Sequence, residues 1–415
     1  MDFEIKQKSK CRICSSGELE EFLSLGETAL ANSFLKKEDF PKEKSYPLRV
    51  GFCHNCNLVQ LMNVVNPDLM FLDYVYFYSK MPAASDHFVD YATDVSERFI
   101  SNPKKDLVVE LGSNDGILLK AFQESGHSKV LGIDPAKNVA KLANQNGIPT
   151  IADYFSHPLA VSVAKDYGKA KIIIGNNVVA HIDDHHELLK GVSELVDEDG
   201  VFVLEVPYLV DMFENLAYDS IYHEHLSYLA VAPLQKLFWQ YGMEIFDVQL
   251  KRRQGKSIRV FVCKTGREEI MPSVQIFLNI EKAMGLDKFE NHQKLAGKIA
   301  ASKEKLISTL KNLKDKGFSI AAYGSPARGN TILNYCQIGP DILDFATEEL
   351  FSKIGLYTPG MHIPVIDIKE ARKDPPDYYL MLAWNYKDQI FKKESEFIKS
   401  GGKFIIPMGD KIEII

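Results

Sequence analysis

The sequence predicts an α/β protein in three parts: a small cysteine-bearing N-terminal module, a central Rossmann-like domain and a second Rossmann-like α/β domain. Three observations lead to this fold class. Two CxxC pairs lie near the start, a strand–glycine loop–helix–strand pattern begins at residue 108, and a second glycine loop follows an apolar strand at residues 324–330. We place the three parts at residues 1–66, 67–268 and 269–415.

Length and composition limit the classes of protein that this chain can belong to. A chain of 415 residues exceeds one ordinary core, and 46% hydrophobic with 25% charged residues is typical of a soluble globular protein. The net charge of −7 argues against nucleic-acid binding, which needs a basic face. No apolar run approaches the roughly 20 residues of a membrane span, and no signal peptide is recognisable. We therefore expect a cytoplasmic protein without nucleic-acid or membrane partners, and a monomer is compatible with the sequence.

The N-terminal module contains four of the six cysteines, as the pairs Cys11 with Cys14 and Cys53 with Cys56. Two such pairs can supply a tetrahedral set of sulfur ligands, which suits Zn²⁺. A complete sulfur shell leaves no open position for chemistry, so the predicted zinc is structural. Redox activity is the alternative for an isolated pair. The segment between the pairs, residues 17–46, is expected to loop out.

The central part begins with an apolar strand that ends at a glycine loop, followed by a helix and a second strand that ends in Asp134. Gly112 and Gly116 let the backbone turn tightly and approach a ligand closely. Asp134 can accept hydrogen bonds from both hydroxyl groups of a ribose. This unit predicts an adenosine-bearing cofactor.

The composition of the glycine loop favours S-adenosylmethionine over a dinucleotide. The GxGxxG pattern of dehydrogenases is absent, and Glu110 precedes the first glycine by two residues. A carboxylate at this position repels a pyrophosphate but attracts the ammonium and sulfonium groups of S-adenosylmethionine. A later strand could present Asp153 to the exocyclic amine of adenine. The predicted cofactor-binding residues are Glu110, Gly112, Asn114, Gly116, Asp134, Asp153 and Asn177.

The densest polar cluster spans residues 220–228, where two histidines flank Glu224 and two tyrosines lie nearby. A lone histidine is more often a core residue, but so many polar groups together indicate an active-site segment. Metal binding is disfavoured because the HxH spacing lacks a further ligand. His181, just past Asn177, could reach the same cleft. Tyr76 and its alternating neighbours indicate either a packing edge, which spacing alone favours, or a phenol in the cleft.

The C-terminal part begins with an amphipathic helical region at residues 274–316, which we interpret as a connector. Its apolar residues Ile299, Leu306 and Leu313 recur every seven positions. A second open sheet follows, and its glycine loop contains Arg328. This loop is equally compatible with a phosphate cradle and with a helix-capping turn.

The order of the motifs resembles that of the zinc-containing, S-adenosylmethionine-dependent C-methyltransferases that act on nucleotide-linked 4-keto-deoxysugars. The resemblance covers nearly the whole chain and is specific. It rests on the two CxxC pairs, ELGSNDG at 110–116, NNVVAHIDD at 176–184, YHEH at 222–225, GSPARGN at 324–330, TPGMHIP at 358–364 and LAWNY at 382–386.

This resemblance implies a central class I methyltransferase domain and a C-terminal domain that helps to hold the nucleotide sugar, with thymidine as the usual nucleoside. It implies that His225 is the catalytic base and that Tyr76, His181, Tyr222 and Glu224 surround the sugar. The loop at residues 254–257 departs from the family by carrying less glycine. The substrate-binding residues expected on this basis are Tyr78, Lys256, Arg259, Ser325, Arg328 and Asn330.

The sequence leaves several alternatives open. The chain could methylate oxygen or nitrogen of another small molecule, or it could be a non-catalytic zinc-bearing protein that binds nucleotide sugars. A sugar dehydrogenase or epimerase is disfavoured by the first glycine loop. The sugar, the nucleotide and the methylated carbon, C3 or C5, cannot be read from the sequence.

Overall fold

The computed structural model describes residues 3–72, 84–252, 255–409 and 411–415. In this part of the chain the strands form four sheets, of two, seven, four and six strands. Tyr76 and Tyr78, predicted to be site residues, lie outside the described residues. No helix among the described residues combines the length and apolar character needed to cross a bilayer.

The N-terminal part is mainly β-structure. Its strands β2 and β3 pair antiparallel over most of their length, so the segment between the CxxC pairs forms a hairpin and does not loop out as expected. The alternation in β2, where Leu23 and Leu25 are buried and the residues between and after them are exposed, explains this strand. The elements are β1 (Ile5–Gln7), β2 (Leu19–Ala29), a 3-10 helix (Lys37–Lys42), β3 (Ser45–Cys53), β4 (Val59–Leu61), β5 (Asn63–Val65) and α1 (Asp68–Phe71).

The central part contains the seven-stranded sheet. Its elements are α2 (Ala84–Phe99), β6 (Leu107–Leu111), α3 (Ile117–Glu124), β7 (Val130–Ile133), α4 (Lys137–Gln145), β8 (Thr150–Ile151), α5 (His157–Tyr167), β9 (Ala170–Asn176), α6 (His185–Leu195), β10 (Val196–Pro207), α7 (Leu209–Asn215), β11 (Ser227–Tyr228), α8 (Val231–Trp239), β12 (Met243–Arg252) and β13 (Lys256–Lys264), with 3-10 helices at Val179–His181 and Tyr218–Ser220.

The strand order of this sheet is β12-β13-β10-β9-β6-β7-β8, and β6 to β10 are parallel. The order reverses between β6 and β9, which is the point where ligands bind in open α/β sheets. The hairpin of β12 and β13 adds an antiparallel edge to the sheet. The short strand β11 leaves it and pairs with β4, so the central part contributes to the sheet of the N-terminal module.

The C-terminal part contains the six-stranded sheet, in the order β16-β15-β14-β17-β18-β19. This is the Rossmann order, and its switch point lies between β14 and β17. The region predicted to be helical from residue 274 to 316 consists of two helices, separated at Gly285, whose φ is +65°. The elements are α9 (Pro272–Ala283), α10 (Phe289–Asp315), β14 (Ile320–Tyr323), α11 (Ala327–Cys336), β15 (Ala346–Glu348), β16 (Val365–Asp367), α12 (Ile368–Ala371), β17 (Tyr378–Met381), a 3-10 helix (Trp384–Tyr386), α13 (Lys387–Lys393), α14 (Ser395–Lys399), β18 (Lys403–Ile406) and β19 (Glu413–Ile414).

One hydrophobic core runs through all three parts. Helix α10 contributes the predicted apolar face, with Ile299, Leu306 and Leu310 fully buried. The three parts therefore pack as one unit, and the loops at the two switch points face a shared space between them.

Candidate active site

A cavity of about 760 Å³ lies between the carboxyl ends of the two open sheets. Its wall includes residues that follow β6 and β9 in the central sheet, and residues that follow β14 and β17 in the C-terminal sheet. Both switch points thus face the same cavity. Among the predicted site residues, those that line it are Gly112, Asn114, Asp134, Asn177, His181, Tyr222, Glu224, His225, Lys256 and Arg328.

The first glycine loop approaches its neighbours so closely that no side chain fits. Gly112 has φ +64°, and a Cβ added there would lie 2.2 Å from Cγ2 of Val178. Gly116 has φ +80°, and its Cβ would lie 2.8 Å from Cγ2 of Ile148. Gly112 lines the cavity. Gly116 does not line it, and allows the turn that leads into α3. The loop therefore brings backbone to the cavity wall, as a bound cofactor requires.

Asp134 lies at the carboxyl end of β7 and is buried in the cavity wall. Its Oδ2 accepts a hydrogen bond from the backbone N–H of Asn114 at 2.8 Å, and its Oδ1 accepts one from Ala136 at 2.9 Å. Each carboxylate oxygen can accept a second hydrogen bond. Asp134 is thus oriented by the backbone, with capacity left for the two hydroxyl groups of a ribose.

Glu110, predicted to bind the cofactor, is not among the described residues that line the cavity, but its charge bears on the choice of cofactor. Its carboxyl group is buried, and Oε2 has no hydrogen-bond partner among the described residues. Burial, followed by the charges of Asp134 and Asp115, raises the pKa of Glu110 well above its ordinary value. A cationic group beside Glu110 would relieve this repulsion, and the ammonium and sulfonium groups of S-adenosylmethionine are such cations.

Asp153, predicted to contact adenine, is exposed and does not line the cavity. Its Oδ1 accepts a hydrogen bond from the backbone N–H of Tyr154. The neighbouring Tyr154 and Phe155 line the cavity instead. These aromatic rings are suited to pack against an adenine base.

His225 is oriented through both ring nitrogens. Nδ1 lies 2.7 Å from the carbonyl oxygen of Ser220, and Nε2 lies 2.8 Å from the hydroxyl oxygen of Tyr222. Because a carbonyl oxygen only accepts, Nδ1 must carry the proton, and Nε2 accepts from the Tyr222 hydroxyl. Burial, followed by the charges of His181 and Arg328, lowers the pKa of His225 well below its ordinary value. The ring is therefore neutral at physiological pH, with the Nε2 lone pair directed at the Tyr222 hydroxyl.

His181 packs beside His225, with a distance of 5.0 Å between the ring centroids. Its other neighbour is the ring of Phe71, at 5.7 Å. Burial lowers the pKa of His181 to about 4, so this ring is neutral as well. A neutral imidazole can donate a hydrogen bond to an oxygen on which negative charge develops.

The two histidines of the HxH pattern do not converge on a metal site. Nε2 of His223 lies 3.2 Å from the carbonyl oxygen of Tyr46, away from the Ser220 carbonyl that holds His225. Within the described ranges, the group of side chains that could hold a metal ion consists of the four cysteines.

The far end of the cavity is formed by the C-terminal part and the β12–β13 hairpin. Arg328 forms a forked ion pair with the buried Asp219, with Nη2–Oδ1 and Nε–Oδ2 distances of 2.7 and 3.1 Å. Asp219 also accepts a hydrogen bond from the indole N–H of Trp384 at 2.7 Å. Lys256 lines the wall and pairs with Glu214. This end thus presents two cations, each beside a carboxylate.

Three residues expected to bind substrate are engaged elsewhere. Arg259 is buried between Glu205 and Asp94, and its guanidinium lies over the ring of Tyr91. The hydroxyl of Ser325 donates to Glu348, and the side-chain amide of Asn330 donates to the carbonyl of Ala31. None of the three lines the cavity within the described part of the chain.

Sequence reasoning missed several residues that shape this site. Asp219 immobilises Arg328. It directly precedes the predicted active-site segment, and this position in the sequence could have indicated a role in the site. Asn32 reaches the cavity from the N-terminal module and donates a hydrogen bond from Nδ2 to Oε1 of Glu224 at 2.7 Å. No spacing pattern links two residues so far apart in the chain.

The four cysteines have the geometry of a zinc site. Their sulfur atoms all lie within 4.8 Å of one another, and the Cys11–Cys56 and Cys14–Cys53 distances are 3.4 and 3.5 Å. Tetrahedral coordination with Zn–S bonds of about 2.3 Å places sulfur atoms about 3.8 Å apart. Each pair is followed by a residue with positive φ, which closes the turn. These residues are Ser15 and Asn57.

The zinc site is linked to the cavity through Arg12, which lies between the first two cysteines and is buried. Its Nε donates to Oδ1 of Asp183 at 3.0 Å. Lys6 and Lys8 also pair with this carboxylate. Asp183 and both lysines line the cavity, so the module that holds the metal also forms part of the cavity wall. His54, which lies between Cys53 and Cys56 in the chain, pairs with Glu20 and is not a member of the cysteine group.

Comparison with protein families gives three matches along the chain. Residues 11–71 match a family described as "Putative zinc binding domain", residues 84–248 match a methyltransferase domain, and residues 252–409 match a C-methyltransferase C-terminal domain. The C-methyltransferase NovU of Streptomyces niveus is 35% identical over 406 residues, which are 97% of this chain and 96% of that protein.

Solved structures similar to part of the chain include magnesium protoporphyrin IX methyltransferase (ChlM) of Synechocystis PCC 6803 with bound S-adenosylmethionine. It is 16% identical, with 44% of this chain and 79% of that chain covered and a TM-score of 0.31. An S-adenosylmethionine-dependent methyltransferase of Clostridium acetobutylicum is also 16% identical, with coverages of 46% and 96% and a TM-score of 0.35.

Proposed function

Because the chain belongs to the family of zinc-binding, S-adenosylmethionine-dependent C-methyltransferases, we propose that it methylates a carbon atom next to the ketone of a nucleotide-linked 4-keto-deoxysugar, with thymidine diphosphate as the nucleotide. The observation that carries this proposal is the pairing of His225 with Tyr222 in the wall of the cavity that also holds the cofactor loop. Transfer to carbon requires a base and a group that holds an enolate oxygen, and this pair offers both.

His225 is the proposed base. Its Nδ1–H is held by the Ser220 carbonyl, so Nε2 keeps its lone pair and a fixed direction. The lowered pKa keeps this lone pair free of a proton at neutral pH. General-base catalysis of this kind contributes about 10²–10⁴-fold to the rate.

Tyr222 and His181 are the proposed partners of the enolate oxygen. In the structure the Tyr222 hydroxyl donates to Nε2 of His225. A ketone oxygen placed between the two groups can accept that hydrogen bond instead, which releases Nε2 for the α-hydrogen. The neutral His181, beside His225, can donate a second hydrogen bond. S-adenosylmethionine, when bound, supplies the electrophilic methyl group that the enolate carbon accepts.

The position of the nucleotide is proposed from charge. Lys256 and Arg328 line the end of the cavity formed by the β12–β13 hairpin and the C-terminal part. Phosphate groups favour cationic side chains, and the ion pair with Asp219 holds the guanidinium of Arg328 in a fixed position. The sugar would then lie between this end and the His225 pair, with the methyl donor on its other side.

A panel of nucleotide-linked 4-ketosugars, incubated with the protein and isotopically labelled S-adenosylmethionine, tests this function. We expect one sugar to gain the mass of one methylene group, with the label on a carbon next to the ketone. Label on oxygen or nitrogen would instead identify an O- or N-methyltransferase. Binding of the sugars without any transfer would identify a non-catalytic binding protein.

A further inference from the structure

The segment that follows β2, residues 30–36, crosses from the N-terminal module to the C-terminal domain. Leu35 and Tyr357 exchange two backbone hydrogen bonds, at 3.3 and 2.9 Å. The side-chain amide of Asn330 donates to the carbonyl of Ala31 at 2.7 Å. Nζ of Lys353 lies 4.6 Å from the centre of the Phe34 ring. The crossing segment is therefore held against the C-terminal domain through Ala31, Phe34 and Leu35.

A second set of contacts extends this docking beyond the crossing segment. The carboxylate of Glu43 pairs with His362 at 2.7 Å and accepts the backbone N–H of Gly360 at 2.8 Å. The His362 ring also stacks on Phe40, with a centroid distance of 3.8 Å and an interplanar angle of 6°. These contacts give a role to the motif at residues 358–364, which the proposed function leaves unexplained.

Asn32 is the residue of the crossing segment that reaches the cavity. Its side chain lines the wall beside Glu224, and its Nδ2 lies 2.7 Å from Oε1 of that carboxyl group. Glu224 is buried and directly precedes His225 in the chain. The N-terminal module thus contributes an amide to the wall of the proposed reaction site.

We propose that Asn32 is a positioning residue that fixes the carboxyl group of Glu224 in the active-site wall and stabilises its charged form. The docked N-terminal module thereby completes the active site in addition to binding zinc. Asn330, expected to contact substrate, instead anchors the crossing segment through Ala31. The functional consequence rests on the proposed methyl transfer, whereas the interaction between Asn32 and Glu224 does not.

The charged groups around Glu224 make this amide important. Burial raises the pKa of Glu224 to about 7, and the Asn32 hydrogen bond and the charge of Lys353 oppose that rise. Lys353 is itself engaged with Glu348 and with the carbonyl of Ser325. Nδ1 of His225 is directed at Ser220, so that N–H is not available to the carboxylate. The protonation of Glu224 near neutral pH is therefore sensitive to the loss of the Asn32 donor.

The direct test is a ¹³C NMR titration of the full-length protein, with glutamate labelled at the side-chain carboxyl carbon. The signal of Glu224 is assigned as the one that titrates near pH 7 in the wild type and is missing in Glu224→Gln. Asn32→Asp keeps the side-chain volume but replaces the donor by an acid, and the label does not report the new aspartate. We expect the Glu224 midpoint to rise by about one to two pH units, since hydrogen bonds to charged groups have this strength.

Two further variants decide between outcomes. Asn32→Ala removes the same donor without adding an acid, so it serves if Asn32→Asp does not fold. It should raise the Glu224 midpoint as well. Ser33→Ala, a change at the exposed neighbour, is the matched control and should leave the midpoint unchanged. An unchanged Glu224 midpoint in both folded Asn32 variants would overturn the proposal, whatever their activity.

An activity measurement then tests the consequence for catalysis. With an active ketosugar, Asn32→Ala should lower kcat by about tenfold and leave the KM for S-adenosylmethionine unchanged, and the loss should vanish in a Glu224→Gln background. An equal loss in that background would show that Asn32 acts independently of Glu224. If no ketosugar is a substrate, the titration still decides the positioning role.

Discussion

The hydroxyl oxygen of Tyr222 lies 2.8 Å from Nε2 of His225. The opposite nitrogen of the same ring is held by a backbone carbonyl, not by a carboxylate. The Ser220 carbonyl favours the protonated ring, but burial, followed by the charge of His181, outweighs it and lowers the pKa of His225. The pair therefore combines a neutral base with a phenol hydroxyl that can donate a hydrogen bond to the oxygen on which negative charge develops.

Substitution of Tyr222 by Phe should lower the rate of methyl transfer by about 10²-fold, because one donor to the enolate oxygen is lost. Binding of S-adenosylhomocysteine should not change, since Tyr222 is remote from the glycine loop in sequence and in role. Steady-state kinetics and calorimetry check the two expectations. Wild-type turnover in the variant would remove Tyr222 from the mechanism.

Substitution of Gly112 by Ala should weaken the binding of S-adenosylhomocysteine by tenfold or more. The added Cβ would lie 2.2 Å from Cγ2 of Val178, so the loop or the cavity wall must move. The expected loss of stability is about 1–3 kcal/mol. Gly126→Ala is the control, because φ is also positive there, at +98°, but nothing lies within 4 Å of the new Cβ. Equal effects of both substitutions on binding would mean that the close approach has no role.

Substitution of Cys14 by Ser should abolish stoichiometric zinc binding and lower the free energy of unfolding by about 3 kcal/mol or more. Metal analysis and thermal unfolding measure these effects. Cys263, which is buried outside the cysteine group, supplies the control. Cys263→Ala should retain one zinc ion per chain, and loss of zinc from this control would contradict the assignment.

Asp183 predicts a dependence of stability on pH. Burial alone would raise its pKa, but Arg12 and the two nearby lysines outweigh burial and hold it at about 2, below the value of 3.8 expected when unfolded. The resulting stabilisation, about 2 kcal/mol, is present above pH 4 and is lost as the pH falls towards 2. Asp183→Asn should therefore be destabilised at pH 7, and the difference from the wild type should shrink on acidification.

The control for this prediction is Asp374→Asn, a change at an exposed acid. Its free energy of unfolding should follow that of the wild type at each pH. A constant difference between Asp183→Asn and the wild type from pH 7 to pH 3 would show that the carboxylate charge is not what stabilises the cluster. Chemical denaturation at several pH values provides the measurement.

The fold could be predicted from the sequence because its signals are local. The cysteine pairs, the two glycine loops and the apolar strands that end in polar residues each involve neighbours in the chain. The same locality applies to the residues of the motifs that line the cavity, which include Gly112, Asp134, Tyr222, Glu224 and His225. The comparisons confirm the family, the fold class and the two cofactors.

The remaining site residues could not be predicted because their roles depend on contacts between distant segments. Arg259 has the charge expected of a phosphate ligand. However, Glu205 lies directly opposite it on the neighbouring strand β10 and pairs with it inside the sheet. Asp153 is expected at the end of a strand, but β8 ends at Ile151 and the Asp153 side chain lies outside the cavity. Asn32 joins the site only because the N-terminal module docks on the C-terminal domain, which no local pattern reports.

His225 is the proposed base, and exchange of the α-hydrogen of a substrate ketosugar in deuterated water measures this role most directly. With S-adenosylhomocysteine in place of the methyl donor, the wild type should incorporate deuterium next to the ketone. His225→Ala should lose both this exchange and methyl transfer, while still binding S-adenosylhomocysteine. Exchange at the wild-type rate in His225→Ala would contradict the central claim.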